Sequence, residues 1–188
     1  PELSDAKGWD APKHWATTRR GNADGDGKAD VCARAAAGLS CWPSTGAGFG
    51  AEIAGPALSD ASNWDDVSYW STLRLSDMNG DGKADVCARA AAGFHCWMST
   101  GTGFGDAIVG PDMGDAQGWN VPAYYGTFRV ADVTGDGKTD VCGRGYSGVK
   151  CWPFDGASFG EAITGPEFSN ANGWDKVQYY STLQAAGG

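Results

Sequence analysis

Three short acidic loops, repeated 55 residues apart, carry the residues of this chain that are best suited to chemistry. Oxygen-bearing side chains stand at loop positions 1, 3, 5 and 9, and a glycine stands at position 6. Ca²⁺ takes about six to eight oxygen ligands, and the glycine permits the sharp turn that points them inward. The sequence therefore predicts up to three Ca²⁺ sites, in which each lysine would offer only its carbonyl oxygen. The predicted ligands are Asn22, Asp24, Asp26, Lys28 and Asp30; Asp77, Asn79, Asp81, Lys83 and Asp85; and Asp132, Thr134, Asp136, Lys138 and Asp140.

The spacing of these loops is not that of an EF-hand. An EF-hand needs a glutamate at position 12 and flanking amphipathic helices. Position 12 is occupied here by Ala33, Ala88 and Gly143, and the flanking residues alternate as strands do. A plain Asp/Gly turn is the alternative interpretation, since these residues dominate tight turns. Three copies in register favour the metal site.

The acidity of the chain is largely a property of these loops. The formal net charge is −9, and nine of the 23 acidic residues lie in the loops. Bound Ca²⁺ would neutralise much of this charge, so the acidity does not indicate a basic partner. Clusters of basic residues are absent from the sequence, so nucleic acid is not expected as a partner.

The six cysteines follow one spacing, with eight residues between the members of each pair. A turn-prone segment separates the two, so a hairpin would bring their sulfurs together across adjacent strands. We predict three disulfides within repeats, while zinc binding is the alternative that this spacing suits poorly. Disulfides and Ca²⁺ together indicate a secreted protein. The predicted pairs are Cys32 with Cys41, Cys87 with Cys96, and Cys142 with Cys151.

No apolar run is long enough for a membrane span, so membrane insertion is not expected. No signal peptide is visible either, and a chain that begins at Pro1 is expected to be a mature or excised piece.

The 55-residue period divides the chain into repeats at 1–57, 58–112 and 113–167, with a partial fourth repeat at 168–188. Together these form one predicted domain. Within the third repeat, alternation and turn residues predict strands near 124–130, 140–144, 150–153 and 159–163. Four antiparallel strands are the size of one propeller blade, so the predicted fold is all-β. A further strand is predicted at Tyr179–Gln184, and Leu58–Asp65 is expected to be a connection held by its tryptophan.

The acidic loop followed by Gly-Phe-Gly and then Gly-Pro resembles the FG-GAP or VCBS-type repeat, as at Gly48-Phe49-Gly50 with Gly55-Pro56. Such repeats build β-propellers in integrin α-subunits and in fungal lectins of the Psathyrella type. The resemblance covers the whole chain and implies Ca²⁺ in a loop between blade strands. This chain departs from the family in having one disulfide per repeat and Gly-Pro in place of Gly-Ala-Pro.

Three repeats and part of a fourth are too few to close a propeller, which typically has about four to eight blades. The alternatives are a piece of a longer array, closure by self-association, and an open arc. Thr18 and Arg20 stand where the second repeat has Leu73 and Leu75. Polar residues at these positions are typical of an edge or a cap.

Catalysis is not expected, because the two histidines, His14 and His95, lie in no recognisable nucleophile, base or metal motif. The nine tryptophans instead suggest binding, since many of them repeat in columns such as Trp9, Trp64, Trp119 and Trp174. Exposed indole rings suit stacking on sugars, while packing between blades is the alternative for a repeated aromatic residue.

The resemblance to propeller lectins suggests sugar sites between consecutive blades. A carbohydrate-binding module is therefore the first hypothesis. An adhesion or scaffold module that contacts an extracellular protein, or that serves a secreted enzyme, is the second. A broad apolar patch would favour the second hypothesis, and partly exposed tryptophans over a polar cleft would favour the first. The candidate ligand-binding residues are Trp64, Trp119, Trp174, Arg74 and Arg129.

Overall fold

The computed structural model describes residues 1–184, which form three four-stranded antiparallel sheets joined by short helical connections. In each sheet the strands are adjacent in chain order. This confirms the predicted all-β fold of propeller-type repeats, and the three sheets do not close into a ring. The strands are β1 (Arg19–Gly21), β2 (Asp30–Ala35), β3 (Gly38–Trp42) and β4 (Ile53–Ala54); β5 (Arg74–Ser76), β6 (Asp85–Ala90), β7 (Gly93–Trp97) and β8 (Ile108–Val109); and β9 (Arg129–Ala131), β10 (Asp140–Gly145), β11 (Gly148–Trp152) and β12 (Ile163–Thr164).

The central hairpin of each sheet contains one disulfide. Cys87 and Cys96 stand directly opposite each other on β6 and β7, with their Cα atoms 4.1 Å apart. The other two pairs, Cys32 with Cys41 and Cys142 with Cys151, have the same register and a Cα separation of 4.0 Å. The three predicted disulfides are therefore confirmed. Strand alternation places both cysteines of a pair on the same face, which explains why the spacing identified them.

The connections between sheets contain four-residue helices that sequence patterns did not reveal. In the second connection a 3₁₀ turn at Asp60–Ser62 ends at Asn63, which adopts a left-handed conformation (φ 64°). Asp66 then caps the helix that follows by accepting a hydrogen bond from the Ser68 amide at 2.7 Å. The helices are α1 (Pro12–Trp15), α2 (Val67–Trp70), α3 (Pro122–Tyr125) and α4 (Val177–Tyr180), and the other 3₁₀ turns are Asp5–Lys7 and Asp115–Gln117.

Three of the predicted strands differ from the observed ones, two of them because helices occupy part of the predicted range. The strand predicted at 124–130 begins only at Arg129, because the residues before it complete α3. The strand predicted at Tyr179–Gln184 is wrong, since α4 ends at Tyr180 and residues 181–184 form no strand. The strand predicted near 159–163 is Ile163–Thr164, while Phe159 makes only an isolated bridge to Phe154. Among the described residues, no helix is long and apolar enough to span a membrane.

The core lies between successive sheets. Leu75 and Phe104 of the second sheet pack on the buried Cys32 and Cys41 of the first sheet. Phe94 on the second sheet packs against Phe128 of the third repeat, with ring centroids 5.5 Å apart. The first sheet is therefore covered by the second, and the second by the third. On the first sheet Thr18 and Arg20 are exposed, which gives the array a polar outer face at this end.

A fully buried arginine in the second strand of each sheet links that sheet to the connection that follows. Arg89 donates through Nε to the Met113 carbonyl at 2.7 Å and pairs through Nη2 with the Asp115 carboxylate. The arginine therefore ties the second sheet to the 3₁₀ turn of the third repeat. Sequence patterns did not indicate this role, although the arginine recurs two residues after the first cysteine of each pair. The equivalent pairs are Arg34 with Asp60, and Arg144 with the amide oxygen of Asn170.

Candidate functional site

A cavity of about 280 Å³ opens beside the central hairpin of the third sheet. One side is the half-buried ring of Trp119, which the connection before α3 supplies. The other side is the β10–β11 hairpin, with the exposed Tyr146 at its tip and Trp152 in its second strand. Polar groups at the rim come from exposed residues, namely Asp112, Gln117, Ser147 and Lys150. Aromatic faces next to unpaired polar groups are a typical lining for a small polar ligand.

Two glycines on β10 allow Trp119 to lie close to the hairpin. A methyl group added at Gly143 would meet the Trp119 ring at 3.2 Å and the Phe128 ring at 3.1 Å. A methyl group at Gly145 would meet Trp119 at 3.4 Å. Trp119 is stacked on Phe128, with centroids 5.3 Å apart and an interplanar angle of 15°. Phe128 and the two glycines of β10 thus hold the half-buried ring against its own sheet.

The charged groups of the cavity are free to contact a ligand. Asp112 and Lys150 belong to none of the ion pairs found within residues 1–184. The position of Lys150 is taken in the second sheet by His95, whose ring stacks on Trp97 with centroids 6.1 Å apart. In the second sheet, therefore, a neighbouring side chain covers a tryptophan face that corresponds to Trp152.

The candidate tryptophans differ in exposure. Trp64 is only 7% exposed, because Leu39 of the first sheet and Tyr69, Val86 and Ala88 of its own repeat surround it. Its ring faces are therefore not open to a ligand. Trp119 is the candidate that lines a cavity. Trp174 is half-buried and stacks on Phe168, with centroids 3.9 Å apart. The structure does not bring these three tryptophans together, since each lies in its own connection.

The candidate arginines lie apart from this cavity. Arg74 and Arg129 are the first residues of β5 and β9, which lie at one edge of their sheets. Arg74 donates to the carbonyl oxygens of Ser71, Leu73 and Phe128 at 2.8–3.1 Å. Neither arginine is among the residues that line the Trp119 cavity. The predicted sugar sites between consecutive blades stay a prediction, and the structure does not place Arg74 or Arg129 in the Trp119 cavity.

The acidic loops have a shared internal geometry. In the second loop the Asp77 carboxylate accepts hydrogen bonds from the amides of Gly80, Asp81 and Gly82 at 2.8–3.1 Å. Glycines with positive φ, such as Gly80 at 78° and Gly82 at 84°, produce this coil. Asp132 makes the same set of contacts in the third loop. Oxygen atoms and turning glycines thus gather in a small volume, as a hard cation requires.

The first loop brings its carboxylates closest together. Asp24, Asp26 and Asp30 each have an oxygen within 4.8 Å of the others, and Asp30 is fully buried. They form the one such group found among residues 1–184, although each of the three loops has five predicted ligands. Asn79 and Thr134 stand at position 3 of the other two loops, where the first loop has Asp24. The donor set of the first loop fits Ca²⁺ well.

The last acidic residue of each loop is fully buried. The Asp85 carboxylate accepts hydrogen bonds from the amides of Met78 and Ser99 at 2.9 and 2.7 Å. Burial nevertheless raises the pKa of Asp85 to about 6. A bound cation would offset this cost of desolvation. Each loop lysine, for which only a carbonyl role was predicted, pairs through Nζ with the position-5 aspartate, as Lys83 does with Asp81 at 2.9 Å.

The comparisons with known proteins agree with this geometry. Residues 77–142, which contain the second and third acidic loops, match the family model of the FG-GAP-like repeat. This confirms the FG-GAP resemblance, while the VCBS-type description stays a prediction. A search among curated proteins finds no match.

Two solved structures share the fold. One is an Agrocybe aegerita lectin that specifically recognises non-reducing terminal N-acetylglucosamine. It superimposes on this chain with a TM-score of 0.74 at 24% identity. The match covers 84% of this chain and 40% of the lectin. A Photorhabdus luminescens Tc holotoxin pore gives a TM-score of 0.57 at 20% identity, over 84% of this chain and 7% of the toxin chain. The chain therefore spans less than half of either structure, and the fold of the matched region is what they share.

Proposed function

We propose that this chain is a non-catalytic carbohydrate-binding module and that the Trp119 cavity is its sugar site. The observation that carries the proposal is the half-buried ring of Trp119, which lines a cavity together with Tyr146, Trp152 and unpaired polar groups. Pyranose rings present C–H groups that stack on indole, and their hydroxyl groups take hydrogen bonds from the rim. The N-acetylglucosamine recognised by the lectin of similar fold is the natural first candidate ligand.

The acidic loops would bind Ca²⁺, and the ion would act on stability rather than on the sugar. The predicted ligands lie at the other end of each sheet from the hairpin tip that borders the cavity. At a Ca²⁺ concentration about 100 times the dissociation constant, each occupied site would add about 2.7 kcal/mol to the free energy of unfolding. Three disulfides are typical of proteins that work in oxidising surroundings, so we propose that the module acts outside the cell.

A protein-binding or scaffold role is the second candidate. A cavity of about 380 Å³ lies on a face of the third sheet that no further sheet within residues 1–184 covers, and Val149, Cys142 and Leu183 line it. The corresponding face of the first sheet receives Leu75 and Phe104 of the second sheet. This cavity would accept an apolar surface, such as another repeat of a longer array, a second copy, or a partner protein.

A glycan array screened in Ca²⁺, and again after chelation, tests the two candidates. Sugar binding predicts defined hits that Tyr146→Ala weakens, because Tyr146 is 70% exposed and its loss should leave the fold intact. Tyr179→Ala is the matched control, since Tyr179 is 44% exposed and lies outside the cavity. An array without hits would contradict sugar binding and favour the scaffold role.

The same samples test the role proposed for Ca²⁺. A thermal melt in chelator should show a clear drop in Tm, with the glycan hits retained below that Tm. Loss of the hits while the fold survives would contradict a purely stabilising role and would place the ion at the sugar site.

A further inference from the structure

Three arginines recur at one register position in the first strand of each sheet. Arg19, Arg74 and Arg129 begin β1, β5 and β9 and stand opposite the first cysteine of each disulfide. Arg19 donates through Nε to the Leu73 carbonyl at 3.0 Å, next to Arg74 in the chain. Arg74 donates through Nη2 to the Phe128 carbonyl at 2.8 Å, next to Arg129. Arg19 and Arg74 therefore each reach the residue just before the first strand of the next sheet. We call the three residues the arginine column.

The arginine column has no acidic partner. Within residues 1–184, every ion pair involves another basic residue, and the protein acceptors of the column are all main-chain carbonyls. This is unexpected in a chain with a net charge of −9. Burial, together with the positive charges of Arg19 and Arg129, lowers the pKa of Arg74 to about 10. Like charges held together in partial burial are unfavourable unless a counter-charge is supplied.

The column retains donors for such a counter-charge. Arg19 uses Nε and Nη1, and Arg129 uses only Nη1, so Nη2 of both residues has no acceptor in the described part of the chain. All three side chains are half-buried, so they are reachable from solvent. Arg129 also lines the cavity of about 380 Å³ at the uncovered face of the third sheet. Guanidinium groups bind planar or tetrahedral oxyanions through paired N–H groups.

We propose that the arginine column is an oxyanion-binding site that takes a carboxylate or sulfate group, separate from the Trp119 cavity. A free inorganic anion and the acidic group of a charged sugar share this chemistry. The site does not depend on the sugar-binding proposal, because no residue of the column lines that cavity. The partial fourth repeat has Gln184 at the equivalent position, so glutamine is a substitution that the repeat itself contains.

The test follows the arginine Nε–H signals in a ¹⁵N NMR titration of the whole chain at constant ionic strength, with sulfate, glucuronate and chloride. We expect sulfate or glucuronate to shift the signals of the column at millimolar concentration, while chloride does not. Arg74→Gln should weaken binding about tenfold, the loss expected from one charge-assisted hydrogen bond. Arg20→Gln is the matched control, because Arg20 is exposed and lies outside the column, and it should bind as the original chain does.

A replacement variant and the comparison of the two anions decide the outcome. If Arg74→Gln fails to fold, Arg19→Gln replaces it, since Nη2 of Arg19 has no acceptor in the described part of the chain. A response to both anions identifies a general oxyanion site, and a response to glucuronate alone identifies a sugar acid; either result supports the proposal. Shifts that are equal for chloride, or equal in Arg20→Gln and Arg74→Gln, would overturn it. A rise in Tm with sulfate is not sufficient, because sulfate stabilises folded proteins in general.

Discussion

The second and third repeats share one backbone plan but differ at the central hairpin and at the link to the following connection. On the hairpin, the second repeat has Ala88 and Ala90 where the third has Gly143 and Gly145. Its tip is Ala91-Ala92, whereas the tip of the third repeat is Tyr146-Ser147. A cavity beside the tryptophan is found at the third hairpin. A few side chains on a constant frame therefore decide whether a repeat buries its tryptophan or presents it.

The links differ in charge. Arg89 of the second repeat binds the Asp115 carboxylate, whereas Arg144 of the third binds the neutral Asn170 amide. The carboxylate is also bound by the Tyr69 hydroxyl at 2.6 Å, while Asn170 donates to the Tyr124 hydroxyl at 2.9 Å. The same scaffold thus tolerates an ionic and a neutral version of one connection. Comparing the two versions shows what the charge adds.

The largest expected effect is on stability, from removal of the buried arginines. Arg89→Ala leaves the partly exposed Asp115 carboxylate without its buried partner, and we expect a loss of about 3 kcal/mol in the free energy of unfolding, the lower end for a broken buried pair. Arg144→Ala leaves a neutral amide, so we expect a loss of about 1–3 kcal/mol. Urea unfolding of both variants measures the difference. Equal losses would mean that charge does not distinguish the two links.

The next effect is on binding, from conversion of the third hairpin into the second. Gly143→Ala with Gly145→Ala adds methyl groups at 3.1–3.4 Å from Trp119 and Phe128, so the Trp119 ring must move. We expect sugar affinity to fall more than about tenfold, the equivalent of 1.4 kcal/mol, as measured by isothermal titration calorimetry. The reciprocal control is Ala88→Gly with Ala90→Gly, which keeps the Ala91-Ala92 tip and should gain no binding. Unchanged affinity in the first variant would remove the glycines from the explanation.

A smaller effect concerns pH. Burial would raise the pKa of Asp115, but the hydrogen bonds from Tyr69 and Arg89 outweigh it and hold the pKa below its ordinary value. The contribution to stability is therefore present above about pH 4, where the unfolded carboxyl is ionised, and is lost as the pH falls through the lower folded pKa.

Asp115→Asn, which copies the link at Asn170, removes this titrating group. We expect the variant to lose less stability than the original chain when urea unfolding is measured between about pH 5 and pH 3. Parallel losses in the two proteins would show that acid acts through other carboxylates.

The smallest effect is expected from His95→Lys, which copies Lys150 in the second sheet. The change removes the ring that stacks on Trp97 and costs about 1 kcal/mol or less. Tryptophan fluorescence should shift to longer wavelength as water reaches Trp97, without any gain in sugar binding. A gain in binding would show that the glycines on β10 are not required.

Part of this fold could be predicted from the sequence. The cysteine spacing predicted the hairpins and disulfides because strand alternation and a short turn allow one geometry. The helices were missed because four residues, as at Val67–Trp70, cover about one turn and leave no periodic pattern. The strand predicted at Tyr179–Gln184 failed for the same reason.

The site was harder to predict. Trp64 and Trp119 have similar polar neighbours in the sequence, yet Trp64 is buried and Trp119 is half-buried in the folded chain. Such packing depends on residues far apart in the chain. The signal for the cavity was the replacement of Ala88 and Ala90 by Gly143 and Gly145 in an otherwise constant repeat. Only the folded structure shows that these two glycines lie next to the Trp119 ring.

Indole N–H signals in a ¹H–¹⁵N NMR titration with N-acetylglucosamine, and with the strongest glycan from the array, test the central claim most directly. The chain has nine tryptophans, and Trp119→Phe and Trp64→Phe variants assign the two decisive signals. We expect saturable shifts of Trp119 and Trp152, with Trp64 and Trp97 unchanged. Shifts confined to Trp64, or no shift of Trp119 with a glycan that binds, would contradict the assignment of the sugar site to the third hairpin.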